Sequence, residues 1–246
     1  MEKRSSYKYT VEPFTEDYCG NLAWGTIGNI LLRCSSTHAG EHGFGYSQMI
    51  EKHHVWVLSR LVIELNELPR SGETFEVSTW VSRIYRQFTD RHFTLTKPDG
   101  TAYGHATSIW ALIDTETRQP ADLTKLADGG FTDALIPDCP SPIPPMGRIH
   151  IKNPVLRHSH KASYCDLDIN GHVNSIKYIE LLLDLFSPEF LKEKQLRRIE
   201  MAYCQESYWG DTLDIYGEAD SNDERKQCFE IRSNGRTVVI KGCLIF

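Results

Sequence analysis

Three polar side chains of different chemistry stand within five residues, directly before a strongly apolar stretch. They are Asp168, Asn170 and His172, in the run DLDINGHVNSIKYIE that covers residues 166–180. A carboxylate can accept a proton, an imidazole can accept or donate one near neutral pH, and an amide can both donate and accept hydrogen bonds. Such a set is suited to acid–base chemistry on a bound substrate. A turn and a helix cap are the alternative explanation for Asp168 and Asn170.

The stretch after this cluster predicts a helix that is buried on almost all sides. Between residues 173 and 186, Lys177, Glu180 and Asp184 fall on one narrow stripe, and apolar residues fill nearly all other positions. A corresponding helix is predicted earlier in the chain, over residues 22–38. Because a helix this apolar must be covered by other elements, the three polar residues are expected at the N-terminus of a buried helix.

Two segments align without a gap at an offset of 138 residues (198 − 60). They are RLVIELNELPRSGETFEV, residues 60–77, and RIEMAYCQESYWGDTLDI, residues 198–215. Gly72 then aligns with Gly210, and each glycine is followed by an acidic residue, a threonine, an apolar residue, a second acidic residue and a second apolar residue. The repeat predicts two copies of one structural unit.

Runs of β-branched and aromatic residues predict strands of an antiparallel sheet in both halves. Asp99-Gly100 and Asn234-Gly235 predict a hairpin in each half, with positive φ at both central residues of a two-residue turn. Each half is therefore expected to contain one long helix and a curved antiparallel sheet, which is an α+β fold. The predicted strands cover residues 74–84, 87–96, 106–113 and 237–246.

A proline-rich segment separates the two halves. Residues 136–145 contain five prolines, which cannot continue a helix or occupy a central strand and which favour a stiff, extended connector. We therefore predict an N-terminal domain at residues 1–135, a linker at 136–150 and a C-terminal domain at 151–246.

Composition limits the class of protein. The net charge of −6 argues against nucleic-acid binding, and no uncharged apolar run reaches the roughly 18 residues that a membrane span needs. The polar N-terminal segment lacks the apolar core of a signal peptide. Seven scattered cysteines without a Cys-x-x-Cys pair favour reduced thiols in a cytoplasmic protein. No metal or cofactor is expected, since the pairs His38/His42 and His158/His160 lack a third ligand at recognisable spacing.

A helix-and-sheet unit present twice in one chain resembles the tandem hotdog fold. The run DLDINGHVNSIKYIE, the first-half GFGYSQM followed by VWVLSR, the segment GETFEVSTWV, and TSIWALIDTETRQP are together similar to the acyl-acyl carrier protein (ACP) thioesterases of bacteria and plants. The resemblance covers roughly residues 5–246. It implies hydrolysis of acyl-ACP thioesters to free fatty acid and carrier protein, which ends chain elongation in fatty acid biosynthesis. The implied partner is the acylated carrier protein.

The resemblance also implies the site residues. In that family the Asp-x-Asn-x-His cluster and a glutamate in a following Tyr-x-x-Glu motif are functional, and here they are Asp168, Asn170, His172 and Glu206. Plant members commonly carry a cysteine directly after that glutamate, whereas this chain has Ser207. A covalent cysteine mechanism is therefore not expected.

Hydrolysis requires a positioned water, a base to accept its proton and donors to the developing oxyanion. We expect Glu206 to be the general base and Asp168 and Asn170 to orient the reacting groups, although the sequence leaves open which carboxylate takes the proton. Backbone N–H groups at the start of the predicted helix 173–186 are the expected oxyanion donors.

The first half is expected to hold the acyl chain, as the resemblance also implies. Position 206 aligns with Leu68, and residues 16–21 do not reproduce Asp-x-Asn-x-His, so the first copy lacks the reactive set. The expected substrate-binding residues are Asn174, Ile27, Ile30 and Leu31.

Other functions are compatible with these residues: an acyl-CoA thioesterase, a hotdog hydratase acting on enoyl thioesters, or a non-enzymatic acyl-binding module. A basic cluster could meet an acidic carrier protein or could simply be a solvated face, although Arg198 repeats at Arg60, which favours a structural role for Arg198. Either a monomer or a homodimer is compatible with the tandem copies. The cluster consists of Lys192, Lys194, Arg197 and Arg198.

Overall fold

The computed structural model describes residues 2–126, 130–218 and 225–246. It divides into two compact units, Met1–Pro145 and Met146–Phe246. The predicted linker at 136–150 spans this division. Among the described residues, no helix is both long and apolar enough to cross a membrane.

The first unit forms an antiparallel sheet in the order β1-β3-β4-β5-β2, with helix α1 packed against β3. In chain order its elements are β1 (Ser5–Thr10), α1 (Trp24–Glu41), α2 (Tyr46–Ile50), β2 (His54–Leu65), β3 (Thr74–Ile84), β4 (Phe88–Thr96), β5 (Ala102–Asp114), α3 (Leu123–Leu126) and α4 (Gly130–Asp133).

The second unit forms an antiparallel sheet in the order β6-β8-β9-β10-β7. In both units the strands that come first, third, fourth, fifth and second along the chain lie side by side in that order. The predicted α+β fold and its duplication are confirmed. In chain order the elements are β6 (Pro154–Lys161), a 3-10 turn (Tyr164–Asp166), α5 (Lys177–Leu183), α6 (Pro188–Lys194), β7 (Arg198–Tyr203), β8 (Thr212–Glu218), β9 (Lys226–Ser233) and β10 (Thr237–Ile245).

The ungapped repeat at offset 138 carries the start of β3 onto the start of β8. Thr74 and Thr212 begin these strands, and the aligned glycines Gly72 and Gly210 have φ of +76° and +83°. Glycine adopts such positive φ values without steric cost, so this residue type is favoured in both copies. The predicted strand 74–84 coincides with β3.

The two hairpins that follow differ from each other. Asn234 and Gly235 both have positive φ, as predicted for a two-residue turn. In the first unit only Gly100 of the Asp99-Gly100 pair does, and Lys97 N–H donates to Thr101 O over 2.8 Å, which leaves a three-residue loop. The predicted two-residue turn is wrong there. Pro98 explains the difference, because its fixed φ suits the first central position of a type I turn.

Helix α1 lies within three residues of its predicted bounds, but the second predicted helix is too long. The structure has α5 at Lys177–Leu183 instead of a helix over 173–186. Before it, Asn174 Oδ1 accepts the Ile176 N–H in a turn. After it, Ser187 caps α6 and Pro188 occupies the first turn of that helix. Since the residue before a proline disfavours helical geometry, the apolar run is divided into two helices.

A disulfide joins Cys228 to Cys243, which are register partners on β9 and β10. The prediction that every thiol is reduced is therefore wrong for this pair. The two cysteines are 15 positions apart in the sequence, and the pairing of the strands brings them together. The free cysteines are Cys19, Cys34, Cys139, Cys165 and Cys204.

Candidate active site

The predicted polar cluster lies on a tight loop between the 3-10 turn and α5. Asp168 Oδ1 accepts the backbone N–H groups of Asn170, over 2.8 Å, and of His172, over 3.1 Å. The Asp168 N–H in turn donates to His172 O over 2.8 Å, and Gly171 has φ of +76°. The loop is therefore closed around the Asp168 carboxylate.

The same loop is present in the first unit, at an offset of 151 residues (168 − 17). Asp17 Oδ1 accepts the N–H groups of Cys19 and Asn21 over 2.8 and 3.0 Å. Asp17 N–H donates to Asn21 O over 2.7 Å, and Gly20 has φ of +75°. The match is hard to recognise in the sequence, because the two loops share only the aspartate (Asp17 and Asp168) and the glycine (Gly20 and Gly171). The contacts of Asp168 are therefore those of a loop anchor, whereas Asn170 and His172 are what the second copy adds.

His172 is the residue of the cluster that meets Glu206. The His172 Nε2 atom lies 3.5 Å from Glu206 Oε2, and both side chains are about one-quarter exposed, at 25% and 28%. Tyr208, which was not predicted, donates its hydroxyl to the same Glu206 oxygen over 3.0 Å and packs edge-on against the His172 ring. A backbone bridge between His172 and Tyr208 holds the two segments together. The sequence did contain a signal for Tyr208. The repeat aligns it with Arg70, so the two copies differ at this position, as they do at Glu206.

The two asparagines behave differently. The exposed Asn170 side chain has no partner within the described residues, so its amide is available to a ligand. The half-buried Asn174 uses Oδ1 to accept the Ile176 N–H and its backbone N–H to donate to Asp166 O. Asn174 therefore has a visible structural role besides any contact with substrate.

Most of the expected oxyanion donors are already occupied. Val173 N–H donates to Ser207 O over 2.9 Å, and the Asn174 N–H is used as described. The N–H groups of Ile176 and Lys177 both donate to Asn174. The prediction of free donors is wrong at these four positions, because residues 173–176 form hydrogen-bonded turns before the helix begins. The Ser175 N–H donates to no partner within the described residues and stays a candidate oxyanion donor. Side-chain donors from Asn170 and His172 are the alternative.

Ser207 is directed into the protein. It is fully buried, and its Oγ lies 2.5 Å from the hydroxyl of Tyr178 on α5. Burial raises the pKa of Tyr178 to about 12, so this hydroxyl stays protonated at neutral pH. A buried serine hydroxyl engaged in this way is unsuited to attack a substrate, which agrees with a mechanism that lacks a nucleophile at position 207.

The expected acyl-binding residues of the first unit lie on α1. Ile27 and Leu31 are fully buried, while Ile30 is half-buried. Along the same helix, Cys34 and His38 are also fully buried, so the stripe becomes polar towards the helix C-terminus.

Over the described ranges, no three His, Cys, Asp or Glu side chains come together in a way that could hold a metal ion. The rings of His38 and His42 stack with centroids 4.2 Å apart, and His160 contacts Asp166.

Two units with the same five-strand order and a helix before the second strand define a double hotdog fold. The family model for the acyl-ACP thioesterase N-terminal domain matches residues 2–126, and the model for the C-terminal domain matches residues 150–241. The chain therefore belongs to the acyl-ACP thioesterase family.

Solved structures agree with this assignment. An acyl-ACP thioesterase from Bacteroides thetaiotaomicron is 44% identical, with 99% of this chain and 98% of that chain covered and a TM-score of 0.93. The 12:0-ACP thioesterase from Umbellularia californica is 17% identical, with 100% and 97% covered, and its TM-score of 0.85 shows the shared fold.

Among curated proteins, oleoyl-acyl carrier protein thioesterase 1 from Arabidopsis thaliana is 30% identical over 209 residues. That alignment covers 77% of this chain and 56% of the relative. An acyl-[acyl-carrier-protein] hydrolase from Cuphea viscosissima is 28% identical, with 72% and 44% covered. The chain thus spans about half the length of these curated relatives.

Proposed function

We propose that this protein hydrolyses fatty acyl-ACP thioesters to free fatty acid and carrier protein, thereby ending chain elongation in fatty acid biosynthesis. The observation that carries the proposal is the contact between His172 and Glu206, which lie 3.5 Å apart. The first copy has Asn21 and Leu68 at these two positions and cannot form it. Family membership and the thioesterase names of the relatives support the same reaction.

Glu206 is the general base in this proposal. It accepts a proton from water as the water oxygen attacks the thioester carbonyl carbon, and the carbon–sulfur bond then breaks. The proton passes to the departing thiolate of the carrier, which leaves as a thiol. The Asn170 amide and His172 bind the carbonyl oxygen, where negative charge develops. Asp168 is the less suitable base, because its Oδ1 already accepts two loop N–H groups.

The two units divide the work. We assign acyl-chain binding to residues 1–135, with Ile27, Ile30 and Leu31 facing the chain, and catalysis to residues 151–246, with a linker at 136–150. Asn174 supports the substrate from the catalytic loop. The burial of Ile27 and Leu31 supports this division, since apolar residues that are withdrawn from water suit an alkyl chain.

Replacing Glu206 by glutamine tests the reaction directly. We expect Glu206→Gln to lower kcat for acyl-ACP hydrolysis by about 100- to 10,000-fold, the usual contribution of a positioned general base. Glu218→Gln makes the same chemical change in the same unit, at a side chain that accepts the Lys152 N–H. It should leave turnover near that of the parent. Near-normal turnover in Glu206→Gln would contradict the role of Glu206 as general base.

The preference for carrier protein over CoA is tested by comparing thiol release from acyl-ACP and acyl-CoA that bear the same acyl group. A higher kcat/KM for acyl-ACP is expected. Part of the predicted basic cluster is available to an acidic carrier, since Lys192 and Arg197 are exposed. Arg198 is buried and pairs with Glu200 over 2.8 Å, so its role is structural. Replacing Lys192 and Arg197 by uncharged residues should raise KM for acyl-ACP and leave KM for acyl-CoA unchanged.

A cytoplasmic location and a monomeric or homodimeric state also belong to this proposal. The disulfide removes the argument that all cysteines are reduced, which had favoured a reducing compartment. Cell fractionation is therefore the experiment that tests the location. Sedimentation of the purified chain would decide between monomer and dimer.

A further inference from the structure

Asp166 is a buried carboxylate two residues before the loop anchor Asp168. Its side chain is 3% exposed and lies in the 3-10 turn that leads into the candidate catalytic loop. Asp166 Oδ2 accepts hydrogen bonds from His160 Nε2 over 2.8 Å and from the backbone N–H and hydroxyl of Ser163 over 2.7 and 3.0 Å. The carboxylate is therefore surrounded by donors on one side.

Lys177 extends these contacts to the helix on the other side of the loop. Its Nζ atom lies 3.5 Å from Asp166 Oδ1 and 3.1 Å from Glu180 Oε2. Because Lys177 and Glu180 belong to α5 and His160 belongs to β6, the network links the strand before the loop to the helix after it. The titratable groups that face Asp166 are thus His160 from β6 and Lys177, paired with Glu180, from α5.

Backbone contacts at Asp166 and Leu167 join the two ends of the loop that carries the site. Asp166 O accepts the Asn174 N–H over 2.8 Å, and a backbone bridge joins Leu167 to Val173. Residues 168–172 form the closed turn between them. Any shift of Asp166 relative to α5 would therefore move His172 relative to Glu206.

The first unit shows that this loop closes without a charged network. At the same offset of 151, Thr15 replaces Asp166, Tyr9 replaces His160 and Thr26 replaces Lys177. Thr15 O still accepts the Ala23 N–H over 3.0 Å, and its hydroxyl donates to Glu12 O. The backbone connections are the same in both copies. The ionic contacts of the second copy are therefore additional to what the loop needs in order to fold.

We propose that Asp166 is a positioning residue, whose carboxylate, held by His160 and Lys177, fixes the loop so that His172 stays against Glu206. This inference rests on the proposed thioesterase function and assigns no contact between Asp166 and substrate. It explains why the ionic network is found in the copy that contains the reactive residues and not in the other.

The charge state of Asp166 fits this role. Burial alone would raise its pKa, but the hydrogen bonds from His160 and Ser163 outweigh burial and bring the pKa to about 2. The carboxylate is therefore ionised throughout the pH range in which a hydrolase would be assayed. Replacement by asparagine keeps the shape of the side chain and removes the charge that Lys177 contacts.

The test compares kcat and KM for acyl-ACP hydrolysis in four variants. Asp166→Asn and Lys177→Met should each lower kcat by about 10- to 100-fold, because a small displacement of a reacting group has effects of this size. KM should change less than about threefold, since the acyl chain is bound elsewhere. Lys177→Arg, which preserves the positive charge, should restore most of kcat. Thr15→Val, the matched change in the first unit, should leave both parameters near those of the parent.

Each outcome has one meaning. If the parent protein releases no thiol from acyl-ACP, the proposed function fails. If the parent is active and both Asp166→Asn and Lys177→Met stay within twofold of it, the positioning role is wrong. A loss of kcat that merely follows the folded fraction, measured by circular dichroism, also overturns it. If Asp166→Asn does not fold, the comparison of Lys177→Met with Lys177→Arg decides the question.

Discussion

Asp168 and Asp17 make the same contacts in two copies of one loop. Each carboxylate accepts the backbone N–H groups of the residues two and four positions later, over distances between 2.8 and 3.1 Å. Asp17 does so in a copy that lacks His172 and Glu206. The shared geometry therefore separates the structural contribution of Asp168 from the chemistry around it.

Asp168→Asn should retain more than about a tenth of kcat, because an amide oxygen still accepts the two loop N–H groups, whereas Asp168→Ala should lose far more. Asp17→Asn is the matched control and should leave kcat unchanged. Steady-state kinetics on acyl-ACP measure both. A loss in Asp168→Asn as large as in Glu206→Gln would instead identify Asp168 as a second essential carboxylate.

Asp166 should make stability depend on pH in the acid range. Its pKa falls from an ordinary 3.8 to about 2 in the folded state. A depressed pKa contributes stability that is present above the unfolded value and is lost as the pH falls through the folded value. This contribution is about 2 kcal/mol at neutral pH and should fall to roughly half at pH 3.

Urea unfolding of the parent and of Asp166→Asn at several pH values measures this contribution. The difference in unfolding free energy between the two proteins should shrink as the pH falls below about 4. A difference that does not change down to pH 3 would show that the carboxylate is not stabilised in the folded state.

Ser207 and Tyr178 should affect stability more than turnover. Ser207→Ala leaves the buried Tyr178 hydroxyl without its partner and should cost about 1–3 kcal/mol of unfolding free energy, with kcat within about threefold of the parent. Tyr178→Phe and the double variant complete a cycle that isolates the hydrogen bond. A collapse of kcat in Ser207→Ala at unchanged stability would point to a direct chemical role.

Enlarging the buried face of α1 should shorten the preferred acyl chain. We expect Ile27→Phe and Leu31→Phe to shift the profile of released fatty acids towards shorter chains, and Ile30→Phe, at a half-buried position, to shift it less. Asn29→Phe lies on the exposed face of the same helix and is the control. Fatty acid analysis after reaction with acyl-ACPs of several lengths gives the result, and an unchanged profile in all variants would reject acyl binding along α1.

The disulfide predicts the thiol content of the purified protein. In denaturant without reductant, five of the seven cysteines should react with a thiol reagent, and all seven should react after reduction. Closing a loop of this length should stabilise the fold by about 3 kcal/mol, so reduction should lower the unfolding temperature. Seven reactive thiols before reduction would contradict the bond.

The duplication, the strand at 74–84, the long first helix and the cluster around Asp168, Asn170 and His172 could all be predicted from the amino-acid sequence. These features are encoded locally, by periodicity, by glycines at positions of positive φ and by short motifs. The division of the apolar run 173–186 into two helices was harder to predict from the sequence. Its cues, Asn174 and the Ser187-Pro188 pair, compete with a strong helical pattern.

Which side chains contact one another could be seen only in the folded chain. It brought Tyr208 to Glu206 and His172, buried Ser207 against Tyr178, and joined Asp166 to His160 and Lys177 across a strand, a turn and a helix. It also showed that Asp17 matches Asp168, although the surrounding residues differ. Such contacts depend on strand register and on the distances between side chains, which no local pattern in the sequence specifies.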